Sequence, residues 1–331
     1  MRFATLNDWL DWQETLHPKT IDLGLDRVRT VLRRLEPEPP SFVVITVGGT
    51  NGKGSCVAML EAILCAAGYR VGAYTSPHLL RYNERIRING QDVEDDALCQ
   101  IFARIDQARG DQSLSYFEFG ALAALELFHQ TGVAVAVLEV GLGGRLDAVN
   151  VLNADAALVV SIGLDHTDWL GPDRNSIGYE KAGIYRLGRP AICADPDPPQ
   201  RLLDTAKQIG ANLQRVDRDY TFTRTGSTWR WESEQVRFDG LPPPALVGAH
   251  QIGNAAAVLM TLISLRQQLP VSLSAICAGF AQVQLPGRFQ IIPGEVEWIL
   301  DVAHNPPAAA ILADNLRTRP CSGRTLAVFG L

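Results

Sequence analysis

A chain of 331 residues, 47% hydrophobic and 20% charged, is long enough to bury a large core, and its length predicts one large domain plus part of another. The formal net charge of −6, with no basic run, argues against a nucleic-acid partner, because binding to a phosphate backbone needs clustered Lys and Arg. Acidic residues among the apolar residues of 1–20 argue against a secretory signal or a membrane span there, and six cysteines without a C-x-x-C pair suit a reduced, cytoplasmic compartment.

Apolar, β-branched runs alternate with segments of helical period through the first half of the chain. Strands are predicted at 42–47, 69–74, 133–140 and 157–163, and helices at 55–68 and 119–132. This alternation predicts an α/β fold with a mostly parallel sheet flanked by helices. Ligands of such sheets bind beyond the carboxyl ends of the strands, so a site is expected in the loops that follow them.

The stretch 195–245 departs from this pattern. Segments such as DPDPPQ (195–200) and GLPPPA (240–245) break the helical period. We expect irregular connections here, with short antiparallel strands.

A second change of composition occurs at 285–295, where Pro and Gly accumulate. The segment 296–316 then predicts a strand, a loop and a helix, and 324–331 predicts a further strand. We therefore expect a P-loop domain at 1–286 and a smaller Rossmann-like α/β domain at 287–331. Because roughly 40 residues rarely form a stable core alone, this second domain is expected to be truncated at its C-terminus, or else docked onto the first domain.

The sequence VGGTNGKGS (47–55) follows the first predicted strand. It departs from the G-x-x-x-x-G-K-[ST] spacing, because Val47 stands where the first Gly belongs and Gly54 separates Lys53 from Ser55. Its glycines still allow several backbone N–H groups to converge on phosphate oxygens at the start of a helix, where Lys53 would reach the terminal phosphates. We interpret the loop as a nucleotide site, with an ordinary Gly-rich strand-to-helix turn as the alternative.

This loop and a series of further segments, in the same order across nearly the whole chain, resemble the bacterial bifunctional dihydrofolate synthase/folylpolyglutamate synthases of the Mur ligase superfamily. The segments are KTIDLGL (19–25), TSPHL (75–79), SYFEFG (115–120), LEVGLGGRLDAVN (138–150), LDHTDWLG (164–171), EKAGI (180–184), LPGRFQ (285–290) and DVAHNP (301–306). Members of this family have a further C-terminal portion, which agrees with the expected truncation. The resemblance implies an ATP-dependent ligase that adds L-glutamate to dihydropteroate, and to the γ-carboxylate of folates, through an acyl phosphate.

The resemblance also implies an ATP and Mg²⁺ site. The residues at ATP-binding positions are Thr50, Asn51, Gly52, Lys53, Gly54, Ser55, Asn254, Arg288, Asp301 and His304. The residues at positions that hold two Mg²⁺ ions are Ser76, Glu139, His166 and Lys181, the last as a carbamylated lysine. Lys53, His166 and Lys181 are the implied catalytic residues. Taken singly, each has an ordinary structural explanation, such as a strand-end hydrogen bond for Glu139 or a solvated helix position for Lys181.

Three segments match positions that bind the pterin-containing acceptor in the family. Their residues are Ile21, Asp22, Leu23, Gly24, Ser115, Tyr116, Phe117, Glu118, Leu146, Asp147 and Ala148. Aromatic faces beside carboxylates suit a flat heteroaromatic ring. From the residues alone, Tyr116 and Phe117 are better explained as core aromatics at a helix start.

Two other functions stay open at this stage. A muramyl-peptide ligase shares the loop, but such enzymes carry a UDP-sugar-binding domain before it, and only 47 residues precede Gly48 here. The other alternative is an ATP-binding protein that is inactive because its second domain is incomplete. We expect a monomer whose partners are dihydropteroate, reduced folates and L-glutamate, with no nucleic-acid or membrane partner.

Overall fold

The computed structural model describes residues 2–36, 38–319, 321 and 323–330. The helices are α1 (Leu6–Leu16), α2 (Asp26–Leu35), α3 (Lys53–Ala66), α4 (Asp95–Arg109), α5 (Tyr116–Thr131), α6 (Thr167–Leu170), α7 (Arg174–Ala182), α8 (Gln200–Ile209), α9 (His250–Ser264), α10 (Leu273–Gln282) and α11 (Pro306–Arg317). The strands are β1 (Val43–Gly48), β2 (Val71–Tyr74), β3 (Ile86–Ile88), β4 (Gln91–Asp92), β5 (Val135–Glu139), β6 (Ala156–Val159), β7 (Pro190–Cys193), β8 (Asn212–Arg215), β9 (Tyr220–Thr225), β10 (Thr228–Ser233), β11 (Arg237–Leu241), β12 (Gln290–Ile292) and β13 (Trp298–Leu300).

The main sheet has the strand order β4-β3-β2-β5-β1-β6-β7-β8. The six adjacent strands β2, β5, β1, β6, β7 and β8 are parallel to one another. Strands β3 and β4 add antiparallel pairs at the edge next to β2. The predicted α/β fold with a mostly parallel sheet is therefore confirmed, and the predicted strands correspond to β1, β2, β5 and β6. None of the helices in the described ranges is long and apolar enough to cross a bilayer.

Two apolar cores lie on opposite faces of this sheet. Strand β5 shows why, because Val135 and Val137 pack into one core while Ala136 and Leu138 pack into the other. Alternate side chains of a strand point to opposite faces, so a strand covered on both sides is apolar throughout. The core on one face includes residues of α1, α2, α4 and α5, and the core on the other includes residues of α3, α9 and α10.

The register of the central strands places the predicted loop beside a buried carboxylate. Strand β1 lies between β5 and β6, with Val47 opposite Glu139 and Gly48 opposite Val159. The parallel strands therefore end together, and the connections that follow β1, β5 and β6 meet at one edge of the sheet.

The prediction of irregular structure in 195–245 was partly wrong. The antiparallel strands are confirmed, since β9, β10 and β11 form a separate sheet. However, α8 is a regular helix that starts directly after Pro199, and β8 extends the main sheet. The prolines obscured the helical spacing of the buried Leu202 and Ala206, although proline is well tolerated at the entrance to a helix.

The prediction of a strand at 324–331 was also wrong for those of its residues that the structure describes. Residues 323–330 form no strand, and the side chains of Leu326, Val328 and Phe329 are exposed; Leu331 lies outside the described residues. An apolar run becomes a strand only when a partner edge accepts its hydrogen bonds. The preceding strand, loop and helix are confirmed as β13 and α11, with β12 paired antiparallel to β13. The domain boundary at 286/287 stays a prediction.

Candidate active site

The loop after β1 is held in place by the segment that follows β6. The N–H of Thr50 donates to the carbonyl of Ser161 at 2.8 Å, and the N–H of Asn51 donates to Ser161 Oγ at 3.0 Å. Gly163 N donates to Thr50 Oγ1 at 3.0 Å. Helix α3 begins at Lys53, so the loop delivers the N–H groups of a helix N-terminus to the edge of the sheet, which is a favourable place for an anion.

Lys53 and Glu139 carry opposite charges at this edge. Lys53 Nζ donates to the carbonyl of Thr50 at 3.1 Å, and burial lowers the pKa of Lys53 while Glu139 opposes that shift. Glu139 is only 4% exposed and accepts a hydrogen bond from the N–H of Ser76 at 3.4 Å. Burial raises the pKa of Glu139, against the effects of Lys53 and Arg288. The site thus contains a buried carboxylate close to cations. Burying a carboxylate costs free energy unless it is paired or binds a metal ion, so its position here marks a candidate functional site.

One cavity of about 120 Å³ brings together most of the predicted ATP and metal residues. Its lining includes the predicted residues Thr50, Asn51, Gly52, Lys53, Ser76, Glu139, His166, Lys181, Arg288 and His304. These residues come from the loops after β1, β2 and β6, from the first residue of α3, from the last residue of β5, from α7, and from the segments before β12 and after β13. The structure therefore brings these predicted residues together around one cavity.

The remaining predicted nucleotide residues lie next to this cavity. Asp301 and Ser55 line an adjoining cavity of about 60 Å³ that shares Asn51, Gly52 and Arg288 with the first. Asn254 lies against the loop, and its amide donates to Gln251 Oε1 at 2.9 Å. Gly54 lies in the first turn of α3. The adjoining cavity also contains residues that sequence reasoning missed, among them His250, Phe289 and Asn315.

Asn305 is a further residue that sequence reasoning missed. Its amide exchanges two hydrogen bonds with the amide of Asn51, at 3.0 and 3.1 Å, and also donates to Asp165 Oδ2 at 3.2 Å. The same side chain caps α11 by accepting from the N–H of Ala308. An Asn before two prolines is a helix-start signal that could have marked Asn305 as a cap, but not its contact with the loop.

The four predicted metal-binding residues differ in how well they fit a hard cation. Ser76 and Glu139 lie together at the carboxyl edge of the sheet, and Lys181 is 4% exposed. His166, with a left-handed φ of 49°, has a side chain that is 51% exposed at the mouth of the cavity. In the described part of the chain, no three His, Cys, Asp or Glu side chains are grouped to hold a metal ion. The residues therefore fit Mg²⁺ as a site that nucleotide oxygens and water would complete.

The predicted acceptor segments contact one another directly or through a neighbouring residue. Arg27 joins Asp22 to Glu118, while Ser115 and Glu118 form a capping box at the start of α5. Phe117 lies against Gly141, where an added Cβ would stand 2.7 Å from its ring. The half-buried aliphatic and aromatic side chains of the set are Ile21, Leu23, Tyr116, Phe117 and Leu146.

Asp147 is a buried carboxyl group among the predicted acceptor residues. It is buried and accepts hydrogen bonds from the N–H groups of Leu142 at 2.9 Å and Val149 at 3.0 Å. Burial raises the pKa of Asp147 to about 6, and these backbone hydrogen bonds oppose the shift. A carboxyl group in such a setting can change its protonation near neutral pH.

We expect Gly52→Ala to weaken ATP binding at least about tenfold and to destabilise the fold by about 1–3 kcal/mol. Gly52 has a φ of +86°, and a Cβ there would lie 2.8 Å from Val160 Cγ1 and 2.9 Å from Asn254 Oδ1. The loop would have to move away from both residues. Calorimetric titration with ATP and thermal unfolding measure the two effects.

The matched control is Gly68→Ala, at the other end of α3. Gly68 has a similar φ of +88°, but a Cβ there meets nothing within 4 Å. Gly68→Ala should therefore lower stability by about 1 kcal/mol without changing ATP affinity. Equal ATP affinity in the two variants would contradict the prediction.

Known proteins resemble this chain both in sequence and in structure. No family model matches the chain. The chain is similar to the dihydrofolate synthase/folylpolyglutamate synthase of Escherichia coli strain K12, with 50% identity over 328 residues, or 99% of this chain and 76% of the relative. Its structure is similar to that of Escherichia coli FolC in complex with DHPP and ADP, with a TM-score of 0.92 and 50% identity over 97% of this chain and 76% of that one. It is also similar to a bifunctional folylpolyglutamate synthase/dihydrofolate synthase with Mn, AMPPNP and L-glutamate bound, with a TM-score of 0.88 and 48% identity over 95% of this chain and 75% of that one.

Proposed function

Since this chain belongs to the bifunctional dihydrofolate synthase/folylpolyglutamate synthase family, we propose that its cavity catalyses ATP-dependent addition of L-glutamate to dihydropteroate and to the γ-carboxylate of folates. The chain is an ATP-dependent ligase of folate metabolism that uses ATP and a divalent metal ion. The observation that carries the assignment of the cavity is the convergence of Lys53, Glu139, Lys181, Arg288 and His304 at the carboxyl ends of the central strands.

The reaction brings two anions together, which explains the cations in the cavity. An oxygen of the acceptor carboxylate attacks the γ-phosphorus of ATP, so that an acyl phosphate forms and ADP leaves. The neutral amine of L-glutamate then attacks the acyl carbon, the C–N bond of the amide forms, the C–O bond to phosphate breaks, and the nitrogen releases one proton as phosphate leaves. Lys53 and the N–H groups at the start of α3 offset the negative charge that accumulates on the transferred phosphoryl group. Mg²⁺, if held by Ser76 and Glu139, would supply further positive charge beside the transferred group.

The nucleotide is proposed to span both cavities. Thr50, Asn51, Gly52, Lys53, Gly54 and Ser55 would surround the phosphates. Arg288 lines both cavities, His304 lines the first and Asp301 the second, which supports their roles as nucleotide contacts. Asn254, whose side chain lies against Gly52, would contact the nucleotide from α9. Two Mg²⁺ ions are proposed, held by Ser76, Glu139, His166 and a modified Lys181.

Lys181 is proposed to be carbamylated, and this proposal gives a direct test. Its side chain is 4% exposed in the cavity, and in the described ranges its ammonium group has no hydrogen bond or ion pair. Burial, together with nearby Lys53, lowers the pKa of Lys181 to about 7, so a reactive neutral amine is accessible. We expect the native protein in bicarbonate to gain the mass of one CO₂, and Lys181→Ala to lose both this gain and about 100-fold in activity.

Lys207→Ala is the control for the modification, because Lys207 is exposed on α8. It should keep both the mass gain and the rate. An unmodified Lys181 together with an undiminished rate of Lys181→Ala would remove the proposal.

The acceptor is proposed to bind between residues 21–24, residues 115–118 and residues 146–148. The contacts of Arg27 with Asp22 and Glu118 connect the first two segments. The Cβ position of Gly141 lies 2.7 Å from the ring of Phe117 and 3.4 Å from Asp147 Oδ2, which places the second segment beside the third. Half-buried aromatic and aliphatic side chains beside the carboxyl group of Asp147 suit a flat pterin ring.

Phosphate release from ATP tests the function as a whole. The assay contains Mg²⁺ and L-glutamate, with dihydropteroate, tetrahydrofolate or a UDP-muramyl acceptor in parallel. Release with both pterin acceptors is expected. Release with the muramyl acceptor alone, or ATP binding with no acceptor-dependent release, would overturn the proposal.

The protein is further proposed to act as a cytoplasmic monomer. All six cysteines are free thiols, which suits a reduced compartment. Light scattering across a range of protein concentrations tests the monomer, and a mass of two chains at all concentrations would contradict it.

A further inference from the structure

Arg27, at the start of α2, connects two of the proposed acceptor segments. Its Nη1 donates to Asp22 Oδ2 at 2.7 Å, and its Nη2 donates to the carbonyl of Asp22 at 2.5 Å. Its Nε donates to Glu118 Oε1 at 3.1 Å. One guanidinium group therefore ties the connection between α1 and α2 to the first turn of α5.

The two carboxylates that Arg27 contacts are already engaged on every oxygen. Asp22 Oδ1 accepts from Lys19 at 3.3 Å, and Asp22 Oδ2 also contacts His17 Nε2 at 3.1 Å. Glu118 Oε2 accepts from the N–H of Ser115 at 2.7 Å. These carboxylates consequently hold the protein's own backbone and side chains together.

The segment that Arg27 holds has little other means of keeping its shape. Residues 19–24 contain no helix or strand, and a Cβ added at Gly24 would meet nothing within 4 Å. His17 supplies a second attachment, because its Nδ1 contacts Ser113 Oγ at 2.9 Å, on the connection before α5. Without Arg27 and His17, the segment would lose its side-chain hydrogen bonds to Glu118 in α5 and to Ser113 just before α5.

We propose that Arg27 is a positioning residue that assembles the acceptor pocket before the acceptor binds, an inference that rests on the proposed function. The Arg27 side chain is 21% exposed and that of Glu118 is 4% exposed, so the pair is largely shielded from solvent. A planar guanidinium can donate to both carboxylates and to a carbonyl in fixed directions, which the point charge of lysine does not reproduce. A pocket assembled in advance lowers the ordering cost of binding.

Steady-state kinetics of Arg27→Lys and Arg27→Gln test the inference. We expect the KM for dihydropteroate to rise about tenfold in Arg27→Lys and further in Arg27→Gln, while the KM for ATP stays within about twofold. Glu118→Gln retains the capping box, because Gln serves at that position. Its effect and that of Arg27→Gln should therefore be less than additive in the double variant.

Arg109→Lys controls for a general loss of stability. Arg109 is also buried and donates to Asp106 at 2.8 and 3.0 Å, but it lies at the end of α4, outside the proposed acceptor segments. It should lower the unfolding temperature and leave the KM for dihydropteroate unchanged. A wild-type KM in Arg27→Lys, or an equal rise in Arg109→Lys, would overturn the inference while the ligase function stood. An inactive wild-type protein would instead overturn the proposed function and this inference with it.

Discussion

Lys53→Met is expected to lower kcat by about 10³-fold while the protein remains folded. The ammonium group of Lys53 lies in the cavity at the start of α3, where the transferred phosphoryl group would gather negative charge. Methionine keeps the apolar stem but removes the charge, and a 10³-fold loss corresponds to about 4 kcal/mol of transition-state stabilisation. Acceptor-dependent phosphate release at saturating ATP measures the effect.

Folding is expected to be nearly unaffected in Lys53→Met. The hydrogen bond from Lys53 to Thr50 O is lost, at a cost of about 1 kcal/mol. Lys207→Met makes the same change on the exposed face of α8 and should keep the full rate. If Lys53→Met retained more than about a tenth of the wild-type rate, Lys53 would not have the proposed role.

Glu139→Gln is expected to lower kcat/KM about 100-fold and to raise the Mg²⁺ concentration needed for half-maximal activity at least about tenfold. Gln preserves the size of the side chain and one carbonyl oxygen, but removes the negative charge that would hold a divalent cation. Titration of the rate with MgCl₂ separates the loss of metal affinity from a loss of chemistry at saturating metal.

The stability of Glu139→Gln distinguishes this effect from unfolding. Burial raises the pKa of Glu139 above its value in the unfolded chain. The folded state therefore binds the proton more tightly, and ionisation of Glu139 lowers stability as the pH rises through the folded pKa. Gln removes this cost, so the variant should be no less stable than the wild type at neutral pH.

Glu126→Gln is the matched control for Glu139→Gln. Glu126 is also fully buried, and burial raises its pKa. However, Glu126 lies on α5, where it pairs with Arg104 of α4, and it does not line the cavity. It should leave the Mg²⁺ dependence unchanged. A normal Mg²⁺ dependence in Glu139→Gln as well would exclude Glu139 as a metal ligand.

Local features were predicted well because their signals lie within a few residues. The apolar run before Gly48 identified β1, and the glycines after it identified a strand-to-helix loop, as observed. Sequence reasoning failed where the local signal was ambiguous. The prolines before α8 predict irregular structure, but a regular helix follows them. The apolar residues of 324–331 predict a strand, but in the described part of the chain no partner edge pairs with residues 323–330.

The α/β class, the glycine-rich loop after β1 and, through the resemblance, the family could all be predicted from the amino-acid sequence alone. The spacing of apolar residues and the conformational freedom of glycine act locally and can be seen in the chain as written. The pairing of Asn305 with Asn51, 254 positions away, and the contacts of Arg27 with Asp22 and Glu118 could be seen only in the folded chain. Contacts between distant residues depend on the strand order. That order places β5 and β6 on either side of β1 and so decides which loops lie next to each other at the edge of the sheet. That order results from packing the whole chain around two cores, so no single segment encodes it.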